Sequence, residues 1–92
     1  MMNQVNDRKV NRLTDVLNVL ADPVRVRIVL CLVRPTSISS LQNHLKIGQN
    51  TLLHHLTRMQ DNGLLVAEHS DGKVYYSLPD RALERAVRLL AA

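Results

Sequence analysis

The side chains of this 92-residue chain best suited to chemistry are its four histidines, its one cysteine and a run of amides and hydroxyls beginning at residue 49. Within that run Leu52, Leu56 and Met59 recur at i, i+4 and i+7, the inner row of an amphipathic helix. The opposite face carries Gln49, Asn50, Leu53, His54, Thr57 and Arg58, with Thr51 in the opening turn. A primary amide presents a donor and an acceptor side by side, which matches the major-groove edge of adenine. Leucine packs on the methyl group of thymine. Arg58, nearer the helix C-terminus, suits a phosphate. His69 and Lys73 flank the segment Ser70-Asp71-Gly72 and are further candidate phosphate contacts, of the kind that weaken as salt rises. Asp71, being acidic, should face away from such a backbone. Gln49, Asn50, Thr51, Leu53, His54, Thr57, Arg58, His69 and Lys73 therefore form a candidate DNA-binding set.

Other chemistries fit less well. Adjacent residues on a helix point about 100° apart, so His54 and His55 do not chelate one ion as an i, i+4 pair would. No metal site and no cofactor is expected. A single cysteine, Cys31, can form neither an internal disulfide nor a cysteine-rich zinc site. It is a small core residue or, alternatively, a lone redox-responsive thiol. There is no nucleophile-base-orienter set, no glycine-rich phosphate loop and no convergent carboxylate pair. No catalytic residue is named, and an enzyme is not expected.

The elements that would position these residues can be read along the chain. Val10, Leu13, Val16, Leu17 and Leu20 predict a helix over about 6–20. Asp22-Pro23 then reads as an N-cap with proline at the first helical position, opening a second helix near 23–34 that is apolar on most sides. Arg34-Pro35 ends it, because a residue preceding proline is pushed out of helical geometry. Ser39 and Gln42 have capping-box spacing and predict a short helix over 39–45, with Leu41 and Leu45 inward. Lys46-Ile47-Gly48 breaks the chain before the helix at 49–62, and Gly63 stands just past that helix end. From Leu64 the period changes to two, giving strands at 64–69 and 73–78 around an Asp-Gly turn. A last helix over about 80–91 carries Leu83, Ala86, Val87 and Leu90 on one side.

The expected fold is therefore mainly α with a small β-hairpin: a single winged helix-turn-helix domain over 1–92, in the order α-α-α-α-β-β-α. The helix-turn-helix falls at about 39–62 and the wing at about 64–78. A short helix, a tight turn and a second helix also occur in proteins that never meet DNA. The hairpin directly after the second helix sharpens the reading.

The formal net charge of +4 agrees with a polyanionic partner. The chain has two tyrosines and neither phenylalanine nor tryptophan, so its core must be aliphatic and small. Such a core invites a second subunit. Val10, Leu13, Leu17 and Leu20 on the first helix, with Leu83, Val87 and Leu90 on the last, are the candidate dimer interface. The alternative is that both helices fold back over their own core. No apolar run approaches the ~20 residues of a membrane span, and Met1 to Lys9 is polar, without a secretory signal. A cytoplasmic protein is expected.

Ala21-Asp22-Pro23-Val24-Arg25-Val26-Arg27-Ile28 resembles the opening of the ArsR/SmtB family of winged helix-turn-helix repressors. Leu41 to Leu56, LQNHLKIGQNTLLHHL, is similar to that family's helix-turn-helix, including the pair His55-Leu56. Gly63-Leu64-Leu65-Val66 and Asp71 through Pro79 resemble its wing. The resemblance covers roughly residues 13–90. It implies a homodimeric repressor that pairs through its first and last helices and binds an imperfect palindrome in double-stranded DNA. It also implies that His55 lies against the domain interior as a partly buried hydrogen-bonding residue.

The sequence departs from the family where its members sense signals. The third helix has no cysteine and the last has no histidine, so neither of the family's metal sites is present. The branch that responds to reactive sulfur or oxidants uses a cysteine pair. Here Cys31 stands about one position off the first of these, and no second cysteine exists. The inducer is therefore unidentified. Lys46 stands where the family often has glycine, and Gly48 where it has a serine or threonine cap. Beside the repressor reading stand a winged-helix protein-interaction module, favoured by the apolar Leu53, and a single-thiol redox-responsive repressor using Cys31.

Overall fold

The computed structural model describes residues 6–92, so the polar opening stretch up to Val5 lies outside the described residues. Five helices and three short strands follow in the order α1 (Asp7–Leu20), α2 (Pro23–Cys31), β1 (Thr36–Ser37), α3 (Ile38–Leu45), α4 (Gln49–Asp61), β2 (Val66–Ser70), β3 (Lys73–Ser77) and α5 (Arg81–Ala91).

The helix starts are built as their cap residues dictate. Asn6 accepts from the Lys9 amide at 2.8 Å, Asp22 from the Val24 amide at 2.8 Å, and Asp80 from the Leu83 amide at 2.8 Å. At α3 the expected cap is corrected. Ser37, not Ser39, accepts from the Ser40 amide, at 3.2 Å. The reason is long-range: Thr36 and Ser37 pair with Tyr76 and Tyr75 of β3, which holds Ser37 in the extended geometry a cap requires. Ser39 is left exposed in the first turn.

The same pairing ends α2 at Cys31 rather than near residue 34. The chain must become extended to reach β3, and the Thr36 hydroxyl ties the bend by donating to the carbonyls of Arg34 (2.8 Å) and Cys31 (3.2 Å). Strand β2 likewise begins at Val66 instead of Leu64. Gly63, at φ 70°, donates to the Gln60 carbonyl, and the Leu64 amide turns back onto the Met59 carbonyl, both at 3.0 Å. That arrangement is a glycine C-cap with its usual apolar contact, since Leu64 and Met59 are both buried.

The sheet order is β1-β3-β2, all antiparallel. Asp71 (φ 50°) and Gly72 (φ 74°) both take left-handed geometry at the hairpin tip, as the tight turn expected there needs.

The core gathers Val19, Ile28, Val29, Leu32, Leu41, Leu52, Leu56, Met59, Leu64, Leu65 and Tyr76. The expected inward row of α4 is buried throughout. The row on α1 is not. Val19, which was not in the expected row, is the residue of α1 that is buried, while Val16 and Leu20 pack partly against the core. Val10, Leu13 and Leu17 stay 47%, 58% and 56% exposed. On α5, Leu83 and Val87 are half-buried, and Leu89 and Leu90 are open to solvent. An apolar groove lies between these faces, lined by Leu20, Val26, Leu30, Val87 and Leu90 among others. Among the described residues no helix is long and apolar enough to cross a membrane.

Candidate nucleic-acid interface

The turn between α3 and α4 is Lys46-Ile47-Gly48. Lys46 adopts left-handed geometry (φ 55°, ψ 45°) and its amide closes α3 on the Gln42 carbonyl at 2.7 Å. Such geometry in a residue with a side chain costs roughly 1 kcal/mol. The buried neighbours Leu41 and Leu52 on either side of the turn hold it in place. Gly48 is the cap of α4 and makes no side-chain cap hydrogen bond.

With Leu52, Leu56 and Met59 sealed in the core, α4 turns its other face outward. Gln49, Asn50, Thr51, His54, Thr57 and Arg58 are all exposed there. Leu53 differs from the expectation. It is half-buried and packs against the core, so less of it is free to meet a base.

The wing does not bring His69 and Lys73 together. Opposed residues in an antiparallel pair share a face, and successive residues alternate. His69 opposes Val74 and Lys73 opposes Ser70, so the two basic side chains lie on opposite faces of the hairpin. Both are exposed. Lys73 instead shares a shallow cleft with Ser37, Ile38, Ser39 and Val74, at the start of α3. Those serines were not among the sequence candidates. The pairing that brings them to the wing, Ser37 with Tyr75, spans almost forty residues and leaves no local signature.

A second feature absent from the candidate set lies behind α4. The Arg25 Nε donates to His55 Nδ1 at 3.1 Å, and Arg25 Nη1 donates to the Val19 carbonyl at 3.1 Å. His55 is half-buried and hydrogen-bonded, as the resemblance implied. Desolvation alone would raise the pKa of Asp22. The hydrogen bonds from the Val24 and Arg25 amides, with the nearby Arg25 guanidinium, outweigh it and hold the carboxyl below the usual range. On α1, Arg12 donates to the Asn62 carbonyl at 3.2 Å, supplying a cation at the C-terminal end of α4.

Cys31 is half-buried, and that burial pushes its thiol pKa up, which lowers the share of nucleophilic thiolate. Among the described residues no group of three or more His, Cys, Asp or Glu side chains is placed to hold a metal ion.

Comparison with known proteins agrees with this geometry. Residues 20–68 match the model of a family described as a helix-turn-helix domain. The chain is 26% identical over 85 residues to the biofilm growth-associated repressor of Xylella fastidiosa, covering 91% of this chain and 75% of that protein. It is 35% identical over 69 residues to the HTH-type transcriptional regulator CmtR of Mycobacterium bovis, covering 74% of this chain and 58% of that one. Among solved structures it is similar to the homodimeric winged helix-turn-helix DNA-binding domain of Mb0332 from Mycobacterium bovis, described as a possible ArsR-family regulator. That similarity has a TM-score of 0.82 at 20% identity and covers 95% of this chain and 84% of that one. The chain belongs to the helix-turn-helix domain family, and its fold is that of the winged helix-turn-helix structures it resembles.

Proposed function

We propose that this protein is a homodimeric, sequence-specific DNA-binding repressor, not an enzyme, whose α4 enters the major groove while the β2–β3 wing meets the adjoining backbone. The observation that carries this reading is the exposed polar face of α4, with Gln49, Asn50 and His54 turned outward from a helix whose opposite face is fully buried. The Xylella relative is named a repressor, and the Mb0332 domain is a homodimer that binds DNA. Two copies related by a two-fold axis would set their recognition helices about one helical turn of DNA apart, on an imperfect palindrome. The apolar surfaces of α1 and α5 supply the contact between copies.

The reading is tested by selecting bound duplexes from a random library and then titrating salt. A recovered palindromic site, bound with an affinity that falls steeply as salt rises, is expected. Absence of binding at low salt would refute it. Gln49→Ala and Asn50→Ala should each lower the preference for the recovered site over a scrambled duplex, by about tenfold or more where the pairing is bidentate. An unchanged preference in a folded variant would remove that residue from the site.

A further inference from the structure

We propose that Arg25 is a positioning residue that braces the recognition helix through His55, and that protonation of His55 releases the brace and weakens base discrimination. The inference rests on the DNA-binding reading above for its consequence, though not for its geometry. One guanidinium joins three helices. It projects from the first turn of α2, reaches the carbonyl of the buried Val19 on α1, and reaches His55 on α4, each at 3.1 Å. Its own backbone amide is held by the Asp22 carboxylate at 3.4 Å, so the arm starts from a fixed point. His55 stands between His54, on the exposed readout face, and Leu56, in the core. A bond at this position therefore limits rotation of α4 about its axis, the motion that would carry Gln49, Asn50 and His54 out of register with the bases.

The bond has a defined protonation requirement. Arginine only donates, so the Nδ1 it reaches must be the unprotonated nitrogen of a neutral imidazole. Adding a proton removes the acceptor and sets two cations against each other. Among the described residues, the titratable and charged groups that face His55 include Arg58, at i+3 on the same helix. Arg25 and the Asp22 carboxylate come from α2 and its cap, and His54 on the same helix has its ring centroid 6.2 Å away. The neighbour on the α1 side is the Val19 carbonyl that shares Arg25, and the one titratable side chain of α3, His44, is exposed. Asp22 is thus the anionic group toward which an imidazolium would be drawn, and that same carboxylate caps α2. Acidification removes a brace across three helices.

The discriminating quantity is a ratio of affinities. Protonated histidines attract phosphate on any sequence, so total DNA binding can rise while selectivity falls. The probes are a labelled duplex recovered by selection and a scrambled duplex of the same composition, both titrated over a descending pH series down to the lowest pH at which circular dichroism shows the helices intact. For the wild type the preference should drop about tenfold, the order expected for losing one hydrogen bond to a charged group. His55→Gln keeps an acceptor for Arg25 but does not titrate. Its preference should fall less with pH than the wild type's, because exposed His54, present in both proteins, contributes equally and cancels from the difference between the two profiles. His55→Leu and Arg25→Lys should discriminate poorly at every pH. In the free protein the Arg25 Nε–H resonance should shift together with the titration of the His55 ring. A His55→Gln profile that follows the wild type, or an Arg25 resonance indifferent to that titration, would overturn the proposal. Should the wild type prefer no duplex at any pH, the DNA-binding reading fails, and the resonance alone decides whether the brace exists.

Discussion

In the proposed dimer, truncating Leu17 to alanine should weaken the pairing far more than it weakens the protomer. Leu17 leaves 56% of its surface exposed on α1, beside Leu13 at 58%. Fully burying a leucine is worth about 1.5–3 kcal/mol, so covering the remaining surface contributes roughly 0.8–1.7 kcal/mol per copy. A two-fold interface uses each residue twice, so the dimer loses about 2–3 kcal/mol in all. That corresponds to a roughly 30- to 150-fold rise in the dimer dissociation constant. Sedimentation velocity over a dilution series measures it, with circular dichroism confirming that the helices remain. Leu17→Glu, which would place a charge in the same contact, should give monomer at every accessible concentration. Val66→Ala, on the edge strand of the wing, removes an exposed apolar group outside the proposed interface set and should leave the constant unchanged. A wild-type dimer whose dissociation constant is the same for Leu17→Ala would refute the assignment of this face.

Three further outcomes follow from local geometry. Lys73→Ala should reduce the slope of log affinity against log salt by about 0.9 if its ammonium neutralises one phosphate, and an unchanged slope would remove it from the interface. Asp22 has its carboxyl held below the usual range, so its contribution to stability is complete above its unfolded pKa and disappears as pH falls through the depressed folded value. Asp22→Asn keeps an oxygen to cap α2 without titrating. The wild type's advantage over it in urea unfolding should therefore shrink below about pH 4, and a constant difference across that range would contradict the linkage. Gly63→Ala and Gly72→Ala both force a side chain into left-handed geometry, at about 1 kcal/mol each. At Gly63 the new Cβ would also stand 3.1 Å from the Arg12 guanidinium, whereas at Gly72 nothing lies within 4 Å. Gly63→Ala should be the more destabilising in denaturant titrations, and it alone should disturb the bond from Arg12 to Asn62.

What could be read from the sequence depended on whether the deciding interaction was local. The buried row of α4, the glycine that ends it and the left-handed hairpin tip are set within a few residues, and all three lie where periodicity and turn chemistry put them. The cap of α3 was not legible in the same way. Ser37 and Ser39 both have a suitable hydroxyl, and the choice falls to a two-residue strand whose partner lies across the domain. The end of α2 was overrun for the same reason, since apolar residues continue past Cys31 while the backbone has already turned. On α1 a single apolar stripe was expected where there are two faces. Val16, Val19 and Leu20 serve the core of their own chain, and Val10, Leu13 and Leu17 are left over. Periodicity reports that a residue is apolar at the right angle, but not which surface receives it. The bond from Arg25 to His55 joins positions thirty apart through polar atoms, and no hydrophobic pattern could announce it.

Those leftover apolar residues bear on how DNA selectivity would be organised. The eleven-residue core contains one aromatic, Tyr76, and it leaves Val10, Leu13, Leu17, Leu89 and Leu90 exposed on the two terminal helices. The groove against α2 adds Val26 and Leu30, each 43% exposed. A second copy seated on these surfaces would complete the burial that one chain cannot. The same contact would then fix the separation of the two α4 helices, because α2 links the groove to α4 through Arg25 and His55. On this reading half-site spacing is decided by residues that never touch DNA, while base preference is decided by Gln49, Asn50 and their neighbours. The two can be separated experimentally. A change on α1 should weaken binding to the full palindrome and leave binding to a single half-site as it was, whereas a change at Asn50 should weaken both in proportion.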